Sequence, residues 1–157
     1  MAKPNQMMKP TLTILCTLLA FAVRTNPKLI APGSVRDAMV LNVGLAPTLL
    51  ELAGVKSIVP LQGRSFVPLL TDAKAPWREA FLAEYFLEKC VPNVPAWQAV
   101  RTERWKYIHY LTSDSLDELY DLQTDPHEFK NVVWDAANRG TVDQLKAKLH
   151  DLLKQTK

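Results

Sequence analysis

The sequence contains few of the residues that build metal centres and disulfide frameworks. Its 157 residues include two cysteines and three histidines, and the histidines lack the paired spacing of a metal site. Lys and Arg outnumber Asp and Glu by only three and form no dense stripe of the kind that binds phosphate backbones. These absences argue against a metal site and against nucleic acid as a partner. The histidines are His109, His127 and His150.

Apolar runs long enough to cross a membrane are also missing. The longest, residues 12–23, is shorter than the about 20 apolar residues that a bilayer requires. Lys3 and Lys9 precede it, and residues 20–22 (Ala-Phe-Ala) form a small-x-small cleavage box. We therefore predict that residues 1–22 are a signal peptide and that the protein is secreted or periplasmic. A buried N-terminal helix is the alternative.

The two cysteines do not form a predicted pair. Cleavage after residue 22 would remove Cys16 and leave Cys90 without an internal partner, which excludes an internal disulfide. A lipidated Cys16 is an alternative to cleavage, although the residues before it lack the small side chains that lipidation requires. We expect Cys90 to be a loop or half-buried thiol.

Helical periodicity appears first in residues 43–53. The apolar side chains there recur at helical spacing on one face, and Gly54 supplies a left-handed stop. A second, shorter helical piece is predicted for residues 65–70. The apolar positions of the first helix are Val43, Ala46, Leu49, Leu50 and Ala53.

Strand patterns dominate the second half of the chain. Two aromatic and β-branched runs are only three residues apart, which requires an antiparallel hairpin. Asp125 and Glu128 have the spacing of a helical turn, and residues 141–154 form an amphipathic helix with Thr141 and Gln144 as a capping box. The predicted class is α+β, with a small antiparallel sheet of about four strands and a packed C-terminal helix. The predicted strands are residues 80–87, 97–101, 105–111 and 118–122.

Four short blocks in this order resemble the C-terminal subdomain of the sulfatases. They are AVRTERWKYIHY, ELYDL, DP followed by E, and NV, and they look most like the N-sulphoglucosamine sulphohydrolase and N-acetylglucosamine-6-sulfatase types. The earlier VLNVGLAPTLLELAGV and QGRSFVPLL are similar to another sulfatase segment, with Gly44 where the family has Asp. The resemblance implies that residues 23–76 are a helical remnant of the large alkaline-phosphatase-like α/β domain and that residues 77–157 are the C-terminal subdomain.

The same resemblance implies a mechanism whose parts have no matching position here. Sulfatases oxidise the cysteine of Cys-x-Pro-Ser-Arg to formylglycine and hold calcium with Asp and Asn oxygens. The resemblance begins near Ile30 of this chain. In the family, both sites lie upstream of that point. Cys90 begins a Cys-x-Pro sequence, but Val94 occupies the Arg position, and the acids from 114 to 125 lack the glycine of a calcium loop. We predict no catalytic residue, metal ligand or cofactor site in this chain.

A polar and aromatic rim could still contact substrate. In sulfatases of this type the subdomain borders the sulfate pocket, and we assign substrate binding to Glu84, Trp97, Arg101 and His109. Trp offers a flat face to a sugar ring, and Arg offers a fork to a sulfate. The alternative is structural, with Trp97 in the core, Arg101 paired with Glu103 or a neighbouring strand, and His109 packed.

The resulting expectation is the C-terminal fragment of a secreted sulfatase acting on sulfated carbohydrate and inactive alone. A non-catalytic carbohydrate-binding or interaction module and a non-functional truncated product are the alternatives. The helix at 43–53 covers a large sheet in the family, and without that sheet its apolar face should be exposed. We therefore predict that residues 23–157 self-associate or bind a hydrophobic dye.

Overall fold

The computed structural model describes residues 33–88, 94–112 and 116–156. The predicted signal peptide, Cys16 and Cys90 lie outside these residues. The chain divides into two compact units, Met1–Trp77 and Arg78–Lys157. No helix in the described ranges has the length and apolar character needed to cross a membrane.

The described part of the first unit, residues 33–77, contains two short helices. A 3-10 turn at Asn42–Gly44 leads into α1, Leu45–Leu52, so the predicted helix at 43–53 is shorter than expected. Helix α2, Val67–Thr71, begins two residues after the predicted start, because the Ser65 hydroxyl accepts the Val67 N–H at 3.2 Å from outside the helix.

Gly54 ends α1 as the sequence predicts. Its φ is +67°, its N–H donates to the Glu51 carbonyl at 3.1 Å, and the Val55 N–H donates to the Leu50 carbonyl at 2.9 Å. These two bonds form a Schellman motif, in which a left-handed residue lets the chain satisfy the last carbonyls of a helix.

Glycine at position 44 permits a close backbone contact at the start of α1. A Cβ on Gly44 would lie 2.7 Å from the Arg64 carbonyl oxygen, and one on Gly63 would lie 1.8 Å from the Val43 carbonyl oxygen. The fully buried Thr48 hydroxyl donates to the Gly44 carbonyl at 2.6 Å and accepts the Phe66 N–H at 3.0 Å. The helix therefore starts without an acidic cap.

The second unit is built on a four-stranded antiparallel sheet with the order β1-β2-β3-β4. All four predicted strands are confirmed, although β1 ends two residues early and leaves Phe86 and Leu87 exposed. The short turn at Glu103-Arg104 makes β2 and β3 the predicted hairpin. The strands are Ala80–Tyr85, Trp97–Thr102, Trp105–Tyr110 and Glu118–Asp121.

One long helix, α3 at Arg139–Gln155, covers one face of this sheet. Its predicted apolar stripe is confirmed, but the helix begins two residues before Thr141, and its N-cap Asn138 makes no side-chain cap bond, so the predicted capping box is wrong. The helix starts earlier because a 3-10 turn at Ala136–Asn138 leads directly into it. Six buried side chains form the core: Val100, Tyr107, Leu119, Val133, Leu145 and Leu149.

The predicted helical turn at Asp125–Glu128 is confirmed only as a single turn, which the Glu128 N–H closes by donating to the Asp125 carbonyl at 3.2 Å. Glu128 has a left-handed φ of +57°, and its carboxylate pairs with Lys106 instead of folding back to the Asp125 N–H. The Asp125 carboxylate accepts the Lys130 N–H at 2.8 Å. Hydrogen bonds from backbone N–H groups, first that of Lys130, lower the pKa of Asp125.

Candidate functional site

The four predicted substrate residues lie on opposite faces of the sheet. Glu84 pairs in register with Gln98, and Gln98 pairs with His109, so these three side chains share the face that α3 covers. Trp97 and Arg101 lie one and three positions away from Gln98 on β2 and therefore point to the other face. The fold does not bring all four into one site.

We call the face opposite α3 the outer face. Trp97 is half-buried there and stacks on Tyr85 with ring centroids 6.1 Å apart and planes 21° from parallel. Tyr110 lies opposite Trp97 in register. Trp97 belongs to this aromatic row and is not part of the buried core. The outer-face residues are Phe81, Ala83, Tyr85, Trp97, Ala99, Arg101, Lys106, Ile108, Tyr110, Glu118 and Tyr120.

Arg101 is held at the hairpin end of the outer face. Its Nη1 donates to the backbone carbonyls of Thr102 and Glu103, the latter at 3.1 Å. The structural alternative was a pairing of Arg101 with Glu103 or with a neighbouring strand. The structure shows that Arg101 contacts the backbone carbonyl of Glu103. Arg101 uses one nitrogen for these contacts, and a guanidinium has five N–H donors. Lys106, opposite Arg101 in register, pairs with Glu128.

Glu118 organises the other end of the outer face. Its two carboxylate oxygens accept hydrogen bonds from the Tyr110 hydroxyl at 3.0 Å and the Tyr120 hydroxyl at 2.8 Å. Burial first, and then the bond to Glu118, raises the pKa of both tyrosines. Both hydroxyls consequently remain protonated donors at neutral pH, and their aromatic rings are fixed in position.

A second arrangement surrounds His109 on the face that α3 covers. Asp117 is only 2% exposed, and its carboxylate accepts from the Tyr107 hydroxyl and from the Tyr110 N–H at 3.3 Å. The His109 Nδ1 lies 3.0 Å from the same carboxylate, and the Lys146 Nζ lies 3.5 Å from it. These contacts satisfy a buried charge, as a low-dielectric interior requires.

The His109 pocket, about 320 Å³ in volume, opens beside this network. Asp117 engages Nδ1 of His109 and thereby fixes the ring, which leaves Nε2 as the second ring nitrogen. Glu84 does not line this pocket; it is linked to the lining residue Gln98, whose side-chain amide donates to the Glu84 carboxylate at 2.9 Å. The pocket is lined by Gln98, Tyr107, His109, Lys146, Leu149, His150 and Leu153.

The sequence predicted His109 but missed its partners. Asp117 lies in the acidic stretch from 114 to 125, and nothing in that stretch marks it as the buried acceptor. Lys146 lies outside the apolar stripe of the last helix, and the helical pattern does not indicate its contact with Asp117. Strand alternation could have placed Gln98 and His109 on one face, because each lies two residues from a core position of its strand, Val100 and Tyr107 respectively.

The described residues do not provide the ligand set of a divalent ion. No group of three His, Cys, Asp or Glu side chains lies close enough to share a metal within residues 33–88, 94–112 and 116–156. The prediction that this chain holds no cofactor stays a prediction.

Comparison with known proteins identifies relatives of this fold. The family model "N-sulphoglucosamine sulphohydrolase, C-terminal" matches residues 18–155. The match begins before Ile30, at which the resemblance in the sequence starts, and includes part of the predicted signal peptide.

Two curated relatives come from Bacteroides thetaiotaomicron. An N-acetylglucosamine-6-O-sulfatase is 34% identical over 145 residues, which cover 90% of this chain and 26% of that protein. A Delta 4,5-hexuronate-2-O-sulfatase is 32% identical over 114 residues, or 72% of this chain and 23% of that protein. The chain thus spans about a quarter of the length of these relatives.

A solved structure extends the likeness to the backbone. A protein in complex with its substrate, D-glucosamine-2-N,6-O-disulfate, superposes with a TM-score of 0.73 at 32% identity, covering 82% of this chain and 27% of that one. The likeness therefore extends from the sequence to the fold. The chain belongs to the sulfatase family, and it corresponds to the C-terminal region of those enzymes.

Proposed function

We propose that this chain is the C-terminal part of a sulfuric ester hydrolase that acts on sulfated carbohydrate. The observation that carries the proposal is the 34% identity to an N-acetylglucosamine-6-O-sulfatase across 90% of the chain. The sulfated glucosamine bound in the related structure supports a sulfated amino sugar as the substrate class.

Within this proposal, the outer face contributes the sugar contacts. Trp97 presents a half-buried ring that Tyr85 holds in place, and Arg101 has donors beyond the one that its backbone contacts use. A sugar ring stacks on an aromatic face, and a guanidinium binds sulfate with two parallel hydrogen bonds. Glu84 and His109 face α3 and would not contact the same sugar.

The chain supplies binding and positioning, and we propose that it is inactive alone. In the family, formylglycine provides the nucleophile and calcium neutralises the sulfate. The described residues lack a metal-binding group of three, and Cys90 lies outside them. Its Cys-x-Pro sequence has Val94 where an Arg would be required.

A chimera tests the proposal. Residues 18–155 would replace the matching region of the Bacteroides thetaiotaomicron N-acetylglucosamine-6-O-sulfatase, and sulfate release from N-acetylglucosamine 6-sulfate would be measured. We expect turnover by the chimera and none by this chain alone with calcium. Arg101→Gln in the chimera should lower kcat/KM about tenfold, the cost of one lost charge-assisted contact of about 1.4 kcal/mol.

Lys130→Gln is the matched control because it removes the same charge from an exposed side chain. A folded chimera without turnover, or turnover by this chain alone, would contradict the proposal. If Arg101→Gln and Lys130→Gln behave alike, the outer face is not the sugar-contacting surface.

We also propose secretion, based on the charged and apolar pattern of residues 1–22. The family match from residue 18 stands against a leader that extends to residue 22. N-terminal sequencing of the protein recovered outside the cytoplasm should begin at Val23. Retention of the uncleaved chain inside the cell would exclude the proposal.

A further inference from the structure

Another depression lies on the second unit, away from the outer face and from the His109 pocket. It has a volume of about 240 Å³ and is lined by Val133, Trp134, Arg139, Val142 and Asp143. Val133 is 6% exposed and belongs to the core cluster, and Val142 packs against that cluster. The apolar base of the depression is therefore fixed by the fold, while its polar side chains face solvent.

Trp134 forms an exposed aromatic wall. Its side chain is 70% exposed, and no partner for its indole N–H occurs within the part of the chain that the structure describes. By contrast, Trp97 stacks on Tyr85, and Trp105 lies 4.8 Å below the Arg104 guanidinium. Trp134 thus offers both a flat apolar face and an unused donor, a combination that suits a sugar ring.

Arg139 and Asp143 add one unpaired charge of each sign. They are four residues apart on α3, where opposite charges can pair, yet no ion pair joins them or engages either with another described residue. Lys146 and Lys148 on the same helix do pair, with Asp117 and Glu79 respectively. Among the described residues, the depression therefore presents a cation and an anion that form no ion pair beside an aromatic face that makes no ring contact.

We propose that this depression is a binding site for a sulfated amino sugar. The ring lies on Trp134, the sulfate accepts from the Arg139 guanidinium, and the Asp143 carboxylate accepts from the sugar ammonium or a hydroxyl. A guanidinium matches the geometry of a sulfate, and a carboxylate is an acceptor-only group that suits an ammonium. The choice of a sulfated amino sugar rests on the proposed function, whereas the three unpaired groups are properties of this chain alone.

Binding to the full chain can be measured by calorimetry with glucosamine 6-sulfate, glucosamine and inorganic sulfate. We expect saturable binding of glucosamine 6-sulfate, at least about tenfold tighter than that of either fragment, because the intact ligand makes all three contacts. Binding should also change tryptophan emission. Trp134→Phe should remove the emission change, and Arg139→Gln and Trp134→Ala should each weaken binding about fivefold or more.

Two control variants match these changes. Phe129→Ala removes another exposed aromatic side chain, and Lys154→Gln removes another cation from α3, and neither residue lines the depression. Both controls should bind as the unaltered chain does. Circular dichroism would verify that every variant is folded.

Three outcomes would overturn the site. They are no binding of glucosamine 6-sulfate at millimolar concentration, binding by Arg139→Gln and Trp134→Ala that is as tight as that of the unaltered chain, and a loss of affinity in the controls equal to the loss in these two variants. If Arg101→Gln abolishes binding while Arg139→Gln does not, the depression is excluded and the outer-face role in the proposed function stands.

Discussion

The two units of the chain differ in how they are held together. Among the described residues of the first unit, Leu69 is the one buried hydrophobic side chain, and the buried Thr48 links α1 to the Phe66 backbone. The second unit encloses six buried core residues between a sheet and a 17-residue helix. Many apolar side chains of the first unit are exposed: Val35, Val40, Val43, Val55, Ile58, Val59 and Leu61.

The difference shows what each segment can stabilise by itself. Helices of eight and five residues are marginal in water unless tertiary packing covers their apolar faces. Four strands with one face packed against a helix satisfy their backbone and bury a continuous core. The second unit thus has the features of an autonomous fold, whereas residues 33–77 of the first have helices and caps without a core of their own.

The largest expected effect comes from truncating the core of the second unit. Leu119 is fully buried between the strands and α3, so Leu119→Ala should lower the free energy of unfolding by about 3 kcal/mol through lost burial and a residual cavity. Urea denaturation followed by circular dichroism measures this loss. Leu61→Ala in the first unit, where Leu61 is 39% exposed, should cost well under half as much. Equal losses of unfolding free energy in the two variants would contradict the difference in packing between the two units.

The buried polar network should give the next largest effect. Tyr107→Phe removes the hydroxyl that donates to the buried Asp117 carboxylate and should destabilise the chain by about 1–3 kcal/mol. Tyr85→Phe removes a hydroxyl from the outer face and should change the free energy of unfolding by about 0.5 kcal/mol or less. If both substitutions are neutral in urea denaturation, Asp117 does not depend on this donor.

Exposed apolar side chains of the first unit should control dye binding and self-association, with little effect on stability. Ile58 is fully exposed and Val59 is 58% exposed, so replacing both with Lys should reduce hydrophobic-dye fluorescence and shift the chain towards monomer. Phe129→Lys, at an 87% exposed position in the second unit, is the control. Light scattering measures the association of each variant. A change of association in Phe129→Lys alone would contradict the prediction.

The smallest expected effect is electrostatic. The side-chain hydrogen bond from Arg104 is the main cause of the lowered pKa of Asp121, and the two groups lie 2.8 Å apart. A carboxyl whose pKa is lowered by folding stabilises the folded chain at pH values above its unfolded pKa, which is about 3.9. This stabilisation is lost as the pH falls through the pKa of the folded state. Arg104→Gln should raise the pKa of Asp121 and weaken the acid dependence of stability.

Titration of the carboxyl signals by NMR tests this expectation. Asp125 is an internal control, because backbone N–H groups lower its pKa and Arg104 is not among the causes. An Asp121 titration that is unchanged in the variant, or an equal rise at Asp125, would show that the Arg104 pair is not the cause.

Local pattern predicted the elements of the second unit well. Alternating aromatic and β-branched residues located all four strands, and the three-residue spacing before Trp105 located the hairpin. Helix starts were less accurate, because the capping-box pattern at Thr141 competed with a 3-10 turn that the sequence does not mark. The sequence did not reveal that Glu128 pairs with Lys106, because the two residues lie 22 positions apart.

The candidate sites depended more strongly on tertiary contacts. Four plausible sugar-binding residues were identified by chemistry alone, and strand register then placed Trp97 and Arg101 on one face and Glu84 and His109 on the other. The depression at Trp134 was not anticipated, because its aromatic ring and the Arg139 charge carry no motif.

The sequence by itself determined the family, through its short sequence blocks. It also determined the strands and the apolar stripe of the last helix, because these follow from residue type and from spacings of two and about three and a half residues. Tertiary structure alone decided which charges are paired. Asp117 became a buried acceptor for Tyr107, whereas Arg139 and Asp143 remained without an ion-pair partner in the described residues. Hydrogen bonds and ion pairs act over a few ångströms between residues distant in sequence, so only the folded chain brings such partners together.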